Sequence, residues 1–505
     1  MATWTIQLLS LALCLSSGFQ QGYIASVLNQ PYIQIQKFMN ESWTARTGHP
    51  FESSTLDLLW SFLNICFPIS MIFGQFMAGY LCKKIGRKGA LLFANALYIP
   101  ATVLSAVTKL CFPAFELLFL SRILWSLACG ISSVAATVWI VECAPPQIRG
   151  RMAAMQEVFM AIGSLITQAL GVPFADDTLW PLIFLPNIAF VLLAIIILLF
   201  LWESPQYIVQ KTGDVDRARK ALAAYHGVSV ADSSIDLEIR ICEEALKKKS
   251  KLNEVRDLLK ALLEKASTGV IKTEHNSITI LFMPWRARDP MSKVIRHGAW
   301  LGVMVKIAYA FTGARCLRAY STFVLYSMGG WSHSSALVES LILGIVRLPT
   351  TLIPVLLVDR LGRRPLLIGS TFTCFVSLGL LTVAIDIGPS WKIGTLVGLS
   401  AILLISACGI GSISRFYAAE LVPRSILLQS TAILTMFEAL TKIGIEFAFY
   451  PLANVIHGQV MLLFMVPTGV FCFIMWLCPE TSNKTVNEVM NDIAKKKKLD
   501  ISIPT

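Results

Sequence analysis

The segment "LGIVRLPTTLIPVLLV", residues 343–358, is apolar except for one guanidinium, Arg347. A second apolar run, "TMFEALTKIGIEF", carries Glu438, Lys442 and Glu446 at intervals of four. On a helix these three share one face, so cation and carboxylates can pair along it. A guanidinium is a rigid fork of donors and a carboxylate a pure acceptor. Such a set bonds hydroxyls, bonds carboxylates, or neutralises itself. The chain has no nucleotide loop, no Cys/His spacing of a metal site and no nucleophile motif, so an enzyme is not expected and no cofactor or metal is implied. The 12 cysteines lie mostly in apolar runs (Cys14, Cys66, Cys129, Cys316, Cys374, Cys472) and read as small hydrophobes.

The elements that must hold these charges follow from composition. Of 505 residues, 55% are hydrophobic and 15% charged, against about 25% charged in soluble domains. Mean hydropathy is +0.65. Long apolar runs at this level are bilayer spans of roughly 20 residues each. The net charge of +12 sits between the runs with no single basic face, which argues against a nucleic-acid binder. The runs fall near 5–28, 57–81, 89–109, 113–142, 152–172 and 180–202, then 298–326, 335–358, 365–387, 393–421, 427–450 and 457–478. The first lacks the positive flank and clear cleavage site of a signal peptide and reads as a span. The expected fold is therefore an all-α membrane protein of twelve helices. It divides into a six-helix bundle at 1–202, a cytoplasmic helical linker at 203–297, a second bundle at 298–478 and a cytoplasmic tail at 479–505. In the linker, "DVDRARKALAAYHG" and "LEIRICEEALKKKSKLNEVRDLLKALLEKA" have the three- and four-residue spacing of amphipathic helices.

Lysine and arginine crowd the loops after even-numbered spans, among them "CKKIGRKG", "PPQIRGR" and "DRLGRR". Basic loops face the cytoplasm, so both termini are expected inside. The long loop after the first span then faces out, and it carries the glycosylation sequon "NES" at Asn40. The halves also repeat. Gly86 and Gly362 stand 276 apart in similar loops, Glu142 and Glu420 278 apart, and Glu203 and Glu480 277 apart. Duplicated halves of this kind are an architecture of secondary transporters, with the solute held between them near the midplane.

These residues resemble the sugar porters of the major facilitator superfamily, in particular animal facilitated glucose transporters. The likeness runs through "GYIASVLNQPYIQIQKFMNESW", "GYLCKKIGRK", "FLSRILW", "VECAPPQIRG", "WESPQYIVQKTGDVDRARKAL", "LLVDRLGRR", "AAELVPR" and "CPETSNKTVNEV". The resemblance implies two six-helix bundles that rock about a central cavity. It also implies a cytoplasmic charge network in which Arg87, Arg363 and Arg364 meet Glu142, Glu420, Glu203 and Glu480. Arg122, Arg149, Asp359 and Arg424 are the remaining motif charges. Such pairs, costly when half made, would latch one state and break in the other. The plainer alternative is that loop arginines only set orientation. Lys83 departs from the family loop, which has an acidic or amide residue there; Asp359 keeps it in the second half.

The solute site departs further. Where the family has sugar-binding glutamines and asparagines, this chain has Glu157, Tyr309 with Ala310, Arg315, Arg347 and Lys442; where it has tryptophans, Arg415 and Ala439. A charge at the bilayer centre costs on the order of 3 kcal/mol, so Glu157, Arg315, Arg347, Arg415, Glu438, Lys442 and Glu446 are expected to face one polar cavity. Three readings stay open. The site keeps a hexose such as glucose with rebuilt donors; it takes an organic anion or zwitterion instead, with Glu157 as a proton site if burial raises it; or the charges pair and the chain does not transport. A receptor on the same fold is disfavoured by a tail of about 27 residues. The expected partners are a small-molecule solute and the bilayer, with no nucleic acid. The expected place is the plasma membrane.

Overall fold

The computed structural model describes residues 4–111, 113–144, 146–229, 290–350, 362–411, 424–481 and 486–496, with Ile235, Ile239, Trp285, Ile413, Ser414, Tyr417 and Leu421. Among these residues all regular structure is helical. A chain in hydrocarbon must satisfy its own backbone donors and acceptors, and the helix does so within one segment. The first half runs α1 (Trp4–Leu13), a π-turn (Cys14–Gly18), α2 (Phe19–Ser26), α3 (Tyr32–Thr47), α4 (Ser53–Lys84), α5 (Gly86–Val107), α6 (Glu116–Cys143), α7 (Pro146–Phe174) and α8 (Asn187–Phe200). Two short helices follow, α9 (Pro205–Thr212) and α10 (Val215–His226). The second half runs α11 (Pro290–Phe311), α12 (Ala314–Ala319), α13 (Ser321–Phe323), a π-turn (Val324–Met328), α14 (His333–Thr350), α15 (Arg363–Ile387), α16 (Lys392–Cys408), α17 (Arg424–Ile456) and α18 (Leu462–Leu477), then α19 (Val486–Lys496).

Among the described residues, seven stretches are long and apolar enough to cross a membrane, and two of them, Arg363–Cys408 and Met436–Leu477, each hold two helices. Large side chains such as Phe73, Phe76, Phe200 and Phe473 stand exposed on their outer faces, a surface suited to lipid. The first span fails that test because the Cys14–Gly18 turn divides it. The seventh is divided at Thr312–Gly313, where Gly313 takes φ 72°.

Within each half the packing is close. A Cβ on Gly74 would lie 2.2 Å from the Leu127 carbonyl oxygen, and one on Gly130 2.2 Å from that of Met71. Glycine at both positions lets α4 and α6 cross backbone to backbone. In the second half α15 packs on α16 and α18, and α11 on α17 and α18. The halves meet where α14 packs on α7 and α17 on α4.

The structure differs from the expectation in the segment after the first span, which is not an irregular loop. It folds as α3, ended by Gly48 at φ 78°, and it buries Ile35, Phe38 and Met39, with Phe38 against Trp180 at 5.7 Å. Asn40 lies on α3, half-buried, and its Oδ1 accepts the Phe51 N–H at 2.8 Å. In the linker, Asp214 caps α10 by accepting from Arg217 N at 2.9 Å, a helix-start bond of the usual kind. Ile235 and Ile239 pack on α9 and α10; the rest of the second amphipathic stretch lies outside the described residues.

Candidate functional site

A cavity of ≈ 620 Å³, part of it open to solvent, lies between the halves. Glu157 and Ala161 reach it from α7, Tyr309 from α11, Arg315 and Arg318 from α12, and Arg347 from the last turn of α14. The break before α12 is what aims the two arginines. Gly313 has a left-handed backbone, and a Cβ there would also meet the Phe464 ring at 2.9 Å, so no other residue fits without strain. The chain then restarts one short helix with Arg315 and Arg318 three apart, on one face.

The charges divide into two kinds. Arg315 Nε donates to Glu446 Oε1 at 2.8 Å, and the Arg315 guanidinium sits 5.9 Å from the Phe67 ring centre. Lys442 pairs with Glu438, and Lys306 joins that carboxylate at 3.3 Å. The ladder expected along α17 therefore closes only at its first rung. Glu446 is taken by a cation from another helix, because Arg315 arrives beside it when α12 turns inward. Arg318 and Arg347 make no ion pair among the described residues. Both line the main cavity and a second chamber with Gln168, Ser321 and Ser340. Glu157 lines the main cavity half-buried. Lys442 stands 5.7 Å over the Tyr309 ring. Two charges here escaped the sequence reading, Arg318 and Lys306. Arg318 had a signal, its one-turn spacing from Arg315. Lys306 lies well inside α11, and its partner Glu438 is on another helix, which spacing along one segment does not show. Arg415 lies outside the described residues.

At the α3 end the cavity is roofed by contacts between the halves. Asn29 Nδ2 donates to Ser321 Oγ at 2.8 Å, and its Oδ1 accepts from Thr322 N at 3.2 Å. Gln36 Nε2 donates to Tyr450 Oη at 2.8 Å. Tyr32 meets Phe323 edge-on at 5.8 Å, and Trp60 meets Tyr450 at 6.2 Å. Arg122 belongs to this end and not to the loop network. Its Nε donates to Leu63 O at 2.9 Å and its Nη1 to Ile24 O at 3.0 Å, where α2 runs out of partners for its carbonyls.

At the α9 end the two halves build the same joint. Gly86 and Gly362 take φ 86° and 85°, and a Cβ would come within 2.3 Å of Glu203 and 2.9 Å of Glu480. Glu203 accepts from Arg87 N and Lys88 N, both at 3.1 Å. Glu480 accepts from Arg363 N at 2.9 Å and Arg364 N at 3.0 Å. Each glutamate thus caps the N-terminus of the next helix, α5 or α15, instead of only pairing with a guanidinium. The Arg87 side chain goes to Glu142, at 2.5 Å. Lys88 Nζ donates to Leu201 O and Arg364 Nη2 to Trp476 O, both at 2.8 Å. These bonds lie within a half. Burial pushes the Glu203 carboxyl above the ordinary carboxylate range, against the N–H groups that favour its charged form. Asp359, Glu420 and the side chains of Arg149 and Arg424 lie outside the described residues.

Residues 9–492 match the family model described as Sugar (and other) transporter. The chain is 26% identical over 494 residues to facilitated glucose transporter protein 1 of Caenorhabditis elegans, covering 95% of this chain and 89% of that one. It is 27% identical over 505 residues to facilitated glucose transporter member 9 of solute carrier family 2 from Homo sapiens, covering 98% and 87%. Among solved structures, the inward-open xylose transporter XylE of E. coli superposes with a TM-score of 0.73 at 19% identity, over 96% of this chain and 99% of that one. That likeness fixes the fold as the twelve-helix major facilitator arrangement.

Proposed function

The chain belongs to the Sugar (and other) transporter family, and on that footing we propose that it carries a small solute across its membrane by alternating access. It is a transporter and not an enzyme. The observation that supports this reading most is the cavity itself, lined from both halves and roofed at one end by hydrogen bonds between them. A hexose such as glucose is the reference solute, since the relatives are named glucose transporters. Arg315 with Glu446, Tyr309, Glu157 and Lys442 with Glu438 offer donors and acceptors to hydroxyls; Arg415 is proposed with them.

The α3 end is proposed as the outer face, with both termini cytoplasmic and the plasma membrane as the location. Basic residues crowd the opposite end, and the Asn40 sequon is proposed to carry a glycan. The Arg87–Glu142 pair and the Glu203 and Glu480 caps make each half rigid at its inner end. The motif charges Arg149, Asp359, Glu420 and Arg424 are proposed to complete a latch there that opens in one state.

The test is counterflow in proteoliposomes of purified protein. Vesicles preloaded with unlabelled glucose should accelerate entry of labelled glucose or of another carried solute, which an open pore does not do. Folded protein that carries no tested solute above empty vesicles would refute the reading.

A further inference from the structure

The ion pairs of the cavity leave a remainder. Arg315 is matched by Glu446, and Lys442 and Lys306 by Glu438. Arg318 and Arg347 have no such ion pair among the described residues, and both line one chamber; Glu446, already held by Arg315, is the carboxylate that shares a chamber with Arg318. Glu157 lines the main cavity with the two arginines. Set wholly against one of the two arginines, it still leaves a cation over. Cations in a membrane interior are costly, and like charges side by side are costlier. A device that served only to stiffen the bundle would have brought a carboxylate to them, as α17 does for Arg315. Beside them Gln168 is 3% exposed, and its Oε1 has no donor among the described residues.

We propose that the two unmatched arginines are the carboxylate subsite of the cavity, and that the solute carried is a small hydroxylated organic anion instead of a neutral sugar. A planar guanidinium meets a carboxylate through two parallel N–H···O bonds, which fixes orientation as well as charge. Two arginines from α12 and α14 bracket one carboxylate, and the solute's charge then removes the repulsion between them. A hydroxyl of the same solute supplies the missing donor to Gln168. Tyr309 and the Arg315–Glu446 pair remain for the rest of its hydroxyls. The proposal rests on the transport reading above and replaces its reference hexose with a hydroxylated anion.

Glucose and glucuronate share a ring and differ by one carboxylate, so they isolate this subsite. Uptake of labelled glucose, glucuronate and lactate is measured in proteoliposomes with wild-type protein and with Arg318→Gln, Arg347→Gln and Arg347→Lys. The expected result is uptake of at least one carboxylate in preference to glucose. It falls about tenfold or more in either glutamine variant and returns in part with Arg347→Lys. Thermal stability in detergent serves as the second readout. Without solute the glutamine variants should melt no lower than wild type, because an unmatched charge has been removed. The carried carboxylate should raise the wild-type melting temperature and leave that of Arg318→Gln unmoved. Uptake of glucose but neither carboxylate overturns this inference and leaves transport standing. Uptake of none of the three by folded protein counts against the transport reading itself. A glutamine variant that unfolds, or that carries the anion at the wild-type rate, overturns the assignment of the arginines.

Discussion

Arg315 and Arg318 are one helical turn apart and have opposite fates. Arg315 is held by Glu446, which is 7% exposed. Truncating one member of a buried pair leaves the other charge stranded, at about 3–5 kcal/mol. Arg315→Ala and Glu446→Ala should each destabilise by that order. The double variant should cost less than the two together, since neither charge is then left alone. Thermal or denaturant unfolding of the four proteins in detergent checks this; additive losses would mean the pair is not coupled. Much of this site was legible in the sequence, because a charge in an apolar run has few uses. Glu157, Tyr309, Arg315, Arg347, Glu438, Lys442 and Glu446 were all singled out there, and the structure places them in or around one cavity. Their pairing was not legible. Spacing along α17 offers Lys442 to Glu446, and only the turn at Gly313 shows that Arg315 arrives first.

The Gly86 and Gly362 joints are where element and residue meet. Gly362 combines φ 85° with ψ 164°, a region closed to residues with a Cβ. Gly362→Ala should cost about 1–3 kcal/mol by that strain, beyond the displacement of Glu480. Loss of a helix N-cap costs about 1 kcal/mol, so Glu203→Ala and Glu480→Ala should destabilise by similar amounts if the halves repeat in energy as they do in geometry. Unequal losses by several kcal/mol would say they do not. Glu203 adds a pH dependence. Its carboxyl is raised by burial in the folded protein. Its contribution is therefore full below the unfolded carboxylate value and declines as pH rises through the raised one. Glu203→Gln does not ionise, so its melting temperature relative to wild type should climb as pH rises above the unfolded carboxylate range; a flat difference would contradict the sign. The repeat and these glutamates could be read from sequence because like motifs recur at one offset. That they cap backbone N–H groups could not, since the motif shows an arginine beside each site and hides the helix start. α3 was missed for a similar reason. Its sequence is polar overall, and what holds it helical is contact with Trp180 and the Phe51 segment.

At the scale of the molecule, the two halves touch through small polar groups and aromatic edges at the α3 end. Contacts of this kind are made and broken at modest cost, which a gate requires. An orientation with α3 outside predicts that a glycosidase removing N-linked glycans will shift the protein's mobility, and that Asn40→Gln abolishes the shift. A shift that survives Asn40→Gln would place the glycan elsewhere. The central claim is that this seam opens and closes while solute crosses. Asn29 makes bonds to Ser321 and to Thr322 N across it, each worth about 1 kcal/mol net. Losing 1.4 kcal/mol from the closed state shifts the balance about tenfold toward an opened seam. The direct measurement uses Ala161→Cys on the cavity wall. It is labelled by a membrane-impermeant thiol reagent from each face of oriented vesicles and read by mass spectrometry of its peptide. The account predicts slow labelling from the α3 face, rising about tenfold when Asn29→Ala is added, while labelling from the other face, already the dominant state, falls only slightly. Labelling from the α3 face that is unchanged by Asn29→Ala would contradict it.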